Sequence, residues 1–265
     1  MSRTVLPPEL WDRIKDLLPE PKSPSPEGGR PPVPNRIALE GILFVLRTGI
    51  PWEYLPSGFG CSGMTCWRRL RDWQAAGIWS RLHLMLLREL QEADKIDWSR
   101  ALIDSSHVRA LGGGEETGPS PVDRRKLGSK HHILVDAHGI PLAAHLTAAN
   151  VPDVAQLVPL VADIPSVSGK RGRPKSRPKA LQGDRGYDSD PGRWILRWLG
   201  IKPVIARRRT ENGSGLGTTR WPVERTISWF HNFGRLRIRR DRRSDIHKAF
   251  MALGMSLICL SFVLS

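Results

Sequence analysis

The chain is poor in cysteine, short of acidic residues and without a long uninterrupted apolar run. Its 265 residues include three cysteines, Cys61, Cys66 and Cys259. Their number is odd and their spacing matches no metal-ligand pattern. This excludes a disulfide scaffold and suits a reducing cytoplasm. The longest apolar stretch, 249–264, spans about 16 residues and contains Gly254, Ser256 and Ser261, so it reads as a buried terminal helix rather than a membrane span. The N-terminus shows no secretory signal pattern.

Acidic residues number 26 against 41 Lys and Arg, a formal net charge of +15. So basic a balance points to a polyanionic partner, either nucleic acid or an anionic membrane surface. The excess is not spread evenly. Residues 1–99 hold 13 basic and 12 acidic side chains, whereas 100–265 hold 28 and 14. Between 193 and 248 there are 15 basic and only 4 acidic side chains. The positive surface therefore belongs to the C-terminal part.

The first hundred residues read as helices. Leu10, Trp11, Ile14, Leu17 and Leu18 recur at helical spacing after Pro7-Pro8, and Pro19 ends the run. A proline-rich connector leads to an apolar helix over 37–46, closed by Gly49-Ile50-Pro51. Helices over 64–73 and 78–92 follow. The pattern suits a small all-α, helix-turn-helix-like domain over 1–98. In it the segment bearing Arg68, Arg69 and Arg71 is either the recognition helix or a basic solvent face.

Near residue 100 the period changes from helical to alternating. ALIDSSHV places Leu102, Asp104, Ser106 and Val108 on one side of a strand. KHHILVDAHGIPLAAHLTAA reads as a hairpin turning at 136–139. A helix over 153–161 with Asp153 as its cap comes next, then a short strand ending at Asp184. A helix over 191–199, a strand over 201–206 and a helix carrying Pro222 in its first turn complete the order. Stretches 111–123, 165–179 and 210–219 read as loops. The expected fold of 99–265 is an α/β mixed sheet flanked by helices.

Three carboxylates fall at matching places: Asp104 within a strand, Asp184 just after one, and Glu224 on the first turn of a late helix. Singly, each has an ordinary reading as a turn former, helix cap or dipole partner. Together, two strand acids and one helix acid can converge. An all-carboxylate set selects a hard divalent cation, Mg²⁺ or Mn²⁺. Two such ions can activate water and stabilise the leaving oxygen in phosphodiester attack.

These stretches carry a resemblance that covers nearly the whole chain. IDSSHVRA at 103–110, GSKHHILVDAHGIPLAAHLTAANVPD at 128–153, GDRGYDS at 183–189 and RWPVERTISWFHNFGRLRIRRDR at 220–242 resemble bacterial insertion-sequence transposases of the IS-five type. LPPELWDRIKDLLPEP and RIALEGILFVLRTGIPWEYLP resemble that family's helical leader. The resemblance implies an RNase-H-like catalytic domain, with Asp104, Asp184 and Glu224 as catalytic metal ligands. It also implies a DNA-contacting Arg220, terminal inverted repeats and target duplex DNA as partners, and at least a homodimer on paired ends. The expected setting is the bacterial cytoplasm, on the nucleoid, with no membrane partner. Two positions depart from the family's wider pattern. Gly217 stands where it has a tyrosine, and His231 where it has a lysine; His231 shares a helix face with Glu224.

Other residues leave alternatives open. Arg235, Arg237, Arg239, Arg240, Arg242 and Arg243 form a dense run expected to contact phosphate. Arg171-Gly172-Arg173-Pro174 is either a minor-groove hook or a basic loop. His131, His132, His138 and His145 alternate over both faces of the hairpin, so structural roles are expected rather than zinc. Trp194, Trp198, Trp221 and Trp229 are expected in the core. Besides a transposase, the sequence admits an RNase-H-like nuclease that only hydrolyses, and a catalytically inactive DNA-binding derivative.

Overall fold

Glycine and proline positions set most element boundaries in this computed structural model, which describes residues 5–20, 31–208 and 219–265. Helix α1 (Pro8–Ile14) starts on a proline and buries Leu10 and Ile14. Helix α2 (Asn35–Thr48) stops at Gly49, whose φ of 75° is the left-handed conformation that closes helices. Helix α3 (Gly63–Ala75) is capped by Ser62, whose Oγ accepts from the Thr65 N–H at 3.2 Å. Helix α4 (Ile78–Glu92) follows Gly77 and turns Leu82, Leu86, Leu87 and Leu90 inward. Helices α2, α3 and α4 lie within 2 residues of the expected ranges, whereas α1 ends at Ile14 and passes into a 3-10 turn over Lys15–Leu17, short of the expected Leu18.

The second half contains strands β1 (Ala101–Ala110), β2 (Gly118–Pro119), β3 (Leu127–Asp136) and β4 (Pro141–Ala148). Then come α5 (Leu157–Ala162), β5 (Ala180–Gly183), α6 (Asp190–Trp198) and β6 (Lys202–Ile205). Helices α7 (Trp221–His231) and α8 (Gly234–Arg237), strand β7 (Ile238–Arg239) and helix α9 (Ser244–Leu264) end the chain. The main sheet runs β4-β3-β1-β5-β6, with β2 on β3 and β7 on β1. Strands β1, β3 and β4 are antiparallel, while β1, β5 and β6 are parallel. This is the α/β mixed sheet flanked by helices that the sequence led us to expect.

The β3–β4 turn is built by one carboxylate. Asp136 Oδ1 accepts from the N–H groups of His138 (3.0 Å) and Ile140 (2.7 Å), and Oδ2 accepts from Asp97 N–H at 2.9 Å. One apolar core runs from Leu6 to Leu260. Its central member is α9, long and apolar enough to cross a membrane, yet mostly buried and packed on α3, α4 and β4. Gly49 and Gly234 meet backbone to backbone. A Cβ on Gly234 would stand 2.7 Å from the Thr48 carbonyl oxygen, so only glycine admits this approach of α2 to α8.

Two local expectations need correction. Asp153 caps nothing; residues Asp153–Gln156 form a 3-10 turn after Pro152, and the helix begins at Leu157. The loop 111–123 contains β2. Of 210–219 only Thr219 is described, so Gly217 lies outside the described residues.

Candidate active site

The period-two alternation of β1 turns Asp104 and Ser106 to one face, and α7 packs across that face. Asp104 Oδ1 accepts from the Ser105 N–H at 2.8 Å, which fixes the carboxylate's rotation. Its Oδ2 accepts from Arg220 Nη2 at 2.7 Å, an ion pair in which both side chains are mostly buried. Burial pushes the Asp104 carboxyl up to about 6; Arg220 pulls it down, and the nearby negative charge of Asp184 pushes it further up. The two aspartates are therefore close enough to repel.

Asp184 ends β5, the parallel neighbour of β1. Its Oδ1 accepts from the Gly186 N–H at 2.8 Å, closing a tight turn over Arg185–Tyr187. Arg208 braces that turn, donating to the carbonyls of Arg185 (2.9 Å) and Gly186 (3.0 Å). The buried pair Arg193–Asp188 holds the next residues at 2.7 Å.

Glu224 is exposed, one turn into α7. Arg220, Glu224 and His231 fall on one face of that helix. Arg220 reaches Asp104, and His231 Nε2 hydrogen-bonds Ser106 Oγ at 3.1 Å. Glu224 thus rides between two anchors on β1. Still, among the described residues no three His, Cys, Asp or Glu side chains lie close enough to hold a metal ion. The fold brings Asp104 and Asp184 together and leaves Glu224 on the adjoining helix face. Two hard oxygen donors with surplus negative charge suit Mg²⁺ or Mn²⁺.

Sequence reasoning missed a second layer beside this pair. Asp153 Oδ1 accepts from Ser105 Oγ at 2.9 Å and from the buried Lys130 Nζ at 2.8 Å. A Cβ on Gly186 would meet Asp184 Oδ1 at 2.9 Å and Asp153 Oδ2 at 3.2 Å, so both carboxylates flank one backbone position. Tyr187 is fully buried against them. Burial, with the charges of Asp153, Asp104 and Asp184, holds its hydroxyl far above the usual tyrosine range. A polar lysine in a buried strand, Lys130, was the signal available in the sequence.

The basic run after α7 divides. Arg237 and Arg240 are exposed, as are Arg242 and Arg243. Arg235 and Arg239, expected on phosphate, are 2% and 0% exposed. Arg235 lies over Trp52 and Phe250 and pairs with Asp241 at 3.5 Å. Arg239 donates to Ser129 Oγ (2.7 Å) and to the carbonyls of Asp241 (2.9 Å), Glu116 (3.2 Å) and Arg242 (3.2 Å). Both are internal staples that cannot reach DNA. Arg239→Ala removes four hydrogen bonds at once and empties a buried site, so it should cost about 3–5 kcal/mol, roughly 10 °C in Tm. Arg240→Ala should leave the thermal midpoint within about 2 °C and weaken DNA binding alone. Thermal denaturation beside filter binding separates the two.

In the leader, Arg68 is exposed, Arg69 donates to the Val33 carbonyl (3.3 Å), and Arg71 pairs with Asp72 (2.7 Å). Arg171 and Arg173 are exposed in their loop. The histidines are scattered: His131 bonds His247 (2.8 Å), His132 bonds Thr147 (2.9 Å), and His145 bonds Asp163 (2.6 Å). His138 is exposed beside the Lys95 carbonyl. The tryptophans contradict the core expectation. Trp194, Trp198 and Trp221 are 65%, 74% and 55% exposed, and only Trp229 is half-buried.

The mixed sheet thus sets paired aspartates on adjacent strands beneath an arginine-bearing helix. Residues 99–260 match the family described as transposase DDE domain, and residues 6–83 the one described as transposase of the IS4/5 family. The chain belongs to the DDE transposases of the IS4/IS5 type. It is 58% identical over 160 residues to the transposase assigned to insertion sequence element IS402 of Burkholderia cepacia, covering 60% of this chain and 74% of that one. The transposase of insertion sequence element IS1106 from Neisseria meningitidis serogroup B is 26% identical over 199 residues, 62% of this chain and 65% of that one. Among solved structures, a piggyBac transposase synaptic complex with hairpin DNA is 13% identical at a TM-score of 0.40, covering 62% of this chain and 46% of that chain.

Proposed function

We propose that this transposase binds the terminal inverted repeats of its element, cleaves the DNA there, and joins the freed 3′-hydroxyls to target DNA. Residues 1–98 supply end recognition, and 99–265 the chemistry. The observation that supports this most is the buried Asp104 facing Asp184 across β1 and β5, under Arg220.

Asp104, Asp184 and Glu224 would hold Mg²⁺ or Mn²⁺, two ions in the full site. When bound, the metal supplies a polarised nucleophile and charge neutralisation at the departing 3′ oxygen. The chain's own residues do the rest. Ser105 N–H and Gly186 N–H fix the two aspartates in rotation. Arg220 carries a planar pair of donors matched to a phosphate. His231 pins α7 to β1 at Ser106, which keeps Glu224 over the sheet. Exposed Arg237 and Arg240 continue the positive surface along a duplex. In cleavage, a water oxygen bonds to phosphorus and the P–O3′ bond breaks, leaving a 3′-hydroxyl. In joining, that hydroxyl's oxygen bonds to a target phosphorus, the target's own P–O3′ bond breaks, and the displaced oxygen leaves as a 3′-hydroxyl. Assembly on two ends, as at least a dimer in the bacterial cytoplasm, completes the reading.

The test uses a plasmid carrying the element's ends. Asp184→Ala and Glu224→Ala should each lower Mg²⁺-dependent nicking by at least about a thousandfold while DNA binding persists. Nicking that survives both would overturn the carboxylate assignment. Loss in Asp184→Ala but not in Glu224→Ala would move the third ligand to Asp153. Transfer of a labelled 3′ end into a second plasmid separates a transposase from a nuclease that only hydrolyses.

A further inference from the structure

Helix α6 places two large indoles in solvent. Trp194 and Trp198 are 65% and 74% exposed, and four residues apart they share one face. The opposite face is complete without them: Gly192, Arg193 and Leu196 are buried, and the helix packs on β6 and α5. Strand β6 is the sheet edge, and among the described residues both indoles stay open to solvent. Neither tryptophan is needed for the fold.

The surroundings are basic. Arg197 is exposed on the same helix. Arg177 donates to the Leu199 carbonyl at the C-terminal end (3.4 Å), and Lys202 is exposed on β6. At the N-terminal end Arg207 pairs with Asp190 at 2.7 Å, offsetting the helix's one acid. Aromatic faces interleaved with guanidinium and ammonium groups recognise nucleic acid: the rings stack bases and the cations neutralise phosphates. Paired bases hide their faces in the duplex, so the rings select an unpaired strand. Residues four apart on a helix rise about 6 Å, a spacing that admits successive bases of an extended strand. Only five residues separate Asp184 from the first residue of α6, with Ser189 capping the helix at Gly192 N–H (3.1 Å).

We infer that the outer face of α6 is a stacking platform on which Trp194 and Trp198 hold unpaired bases of the DNA strand beside the active site. The inference rests on the DNA-processing reading above. Its test therefore measures binding in EDTA, where no cleavage occurs. The probes are a fluorescein-labelled blunt duplex and the same duplex with a single-stranded oligo-dT tail, read by anisotropy on the full chain. Trp194→Ala combined with Trp198→Ala should weaken binding of the tailed duplex by roughly thirtyfold or more and leave the blunt duplex within about twofold. Replacing both by Phe should restore most of the loss. An unchanged thermal midpoint shows that the exposed substitutions leave the fold intact. Equal loss on both probes, no loss on either, or a shift from dimer to monomer in sedimentation would overturn the platform; the last would make α6 a contact between copies. Wild-type chain that binds neither probe would sink the DNA reading itself.

Discussion

Asp104→Asn is expected to abolish strand cleavage and, at the same time, to raise the melting temperature. Asp104 sits on a strand, mostly buried, with a second carboxylate close by, and its carboxyl is pushed up to about 6. Its unfolded value lies near 3.9, so at neutral pH ionisation costs the folded state about 3 kcal/mol relative to the unfolded chain. The amide is close to isosteric and removes that penalty. The attraction of the mostly buried Arg220 is already contained in that value, and the amide oxygen can still accept from its guanidinium. The net should be a stabilisation of up to about 3 kcal/mol, several degrees in a chain of this size. Nicking should fall by at least about a thousandfold, since an amide neither binds a hard cation as a carboxylate does nor carries its charge. A residue kept at a cost in stability is the mark of a functional site. If Asp104→Asn melts below wild type and still nicks DNA, Asp104 is a structural acid.

The alternation of β1 and the proline opening α7 were legible because both depend on neighbours within a few residues. So was the hairpin, where Asp136 makes its own turn. The failures share one physical cause: the deciding partner is far along the chain. Arg239 reads as a surface cation in a run of arginines, yet Ser129 and Glu116 lie more than a hundred residues away and draw it inside. Arg235 is pulled under Trp52 in the same way. Asp153 stands at a helix start, where capping is the local reading; Lys130 and Ser105 from two strands claim it instead. Trp194 and Trp198 fail in the opposite sense. Their size predicts burial, but β6 ends the sheet and among the described residues both indoles stay open to solvent. Glu224 was legible by its place at the start of α7, while its distance from the aspartates was not.

Acid should unfold this protein well above the pH at which its carboxylates normally protonate. Four histidines are buried and neutral. Burial holds His83 and His132 down at about 4 and His131 at about 3, and His247 well below its usual range. His131 and His247 share one hydrogen bond at 2.8 Å, so one ring donates and the other accepts, which requires the accepting ring to be neutral. The nearby Arg239 also opposes a positive charge on either ring. The unfolded chain takes up protons on these histidines near pH 6.5, whereas the native state refuses them until about pH 4 or lower. Within that window the unfolded state binds more protons, so stability falls as pH falls, by up to about 1.4 kcal/mol per pH unit for each histidine. Three acids act in the opposite sense. Asp104 and Asp136, both pushed up to about 6, and Asp241, also raised by burial, take protons natively before they do unfolded. Burial also disfavours the charged forms of His107 and His231, so histidines outnumber these acids and leave a net loss of at least about 1 kcal/mol per pH unit between pH 6 and 4.5. Melting curves across that range should show a steadily falling midpoint. Replacing His131 and His247 together by Gln removes two of these histidines and should make the slope shallower. A wild-type midpoint that stays flat or rises on acidification would mean that these histidines are charged in the native protein.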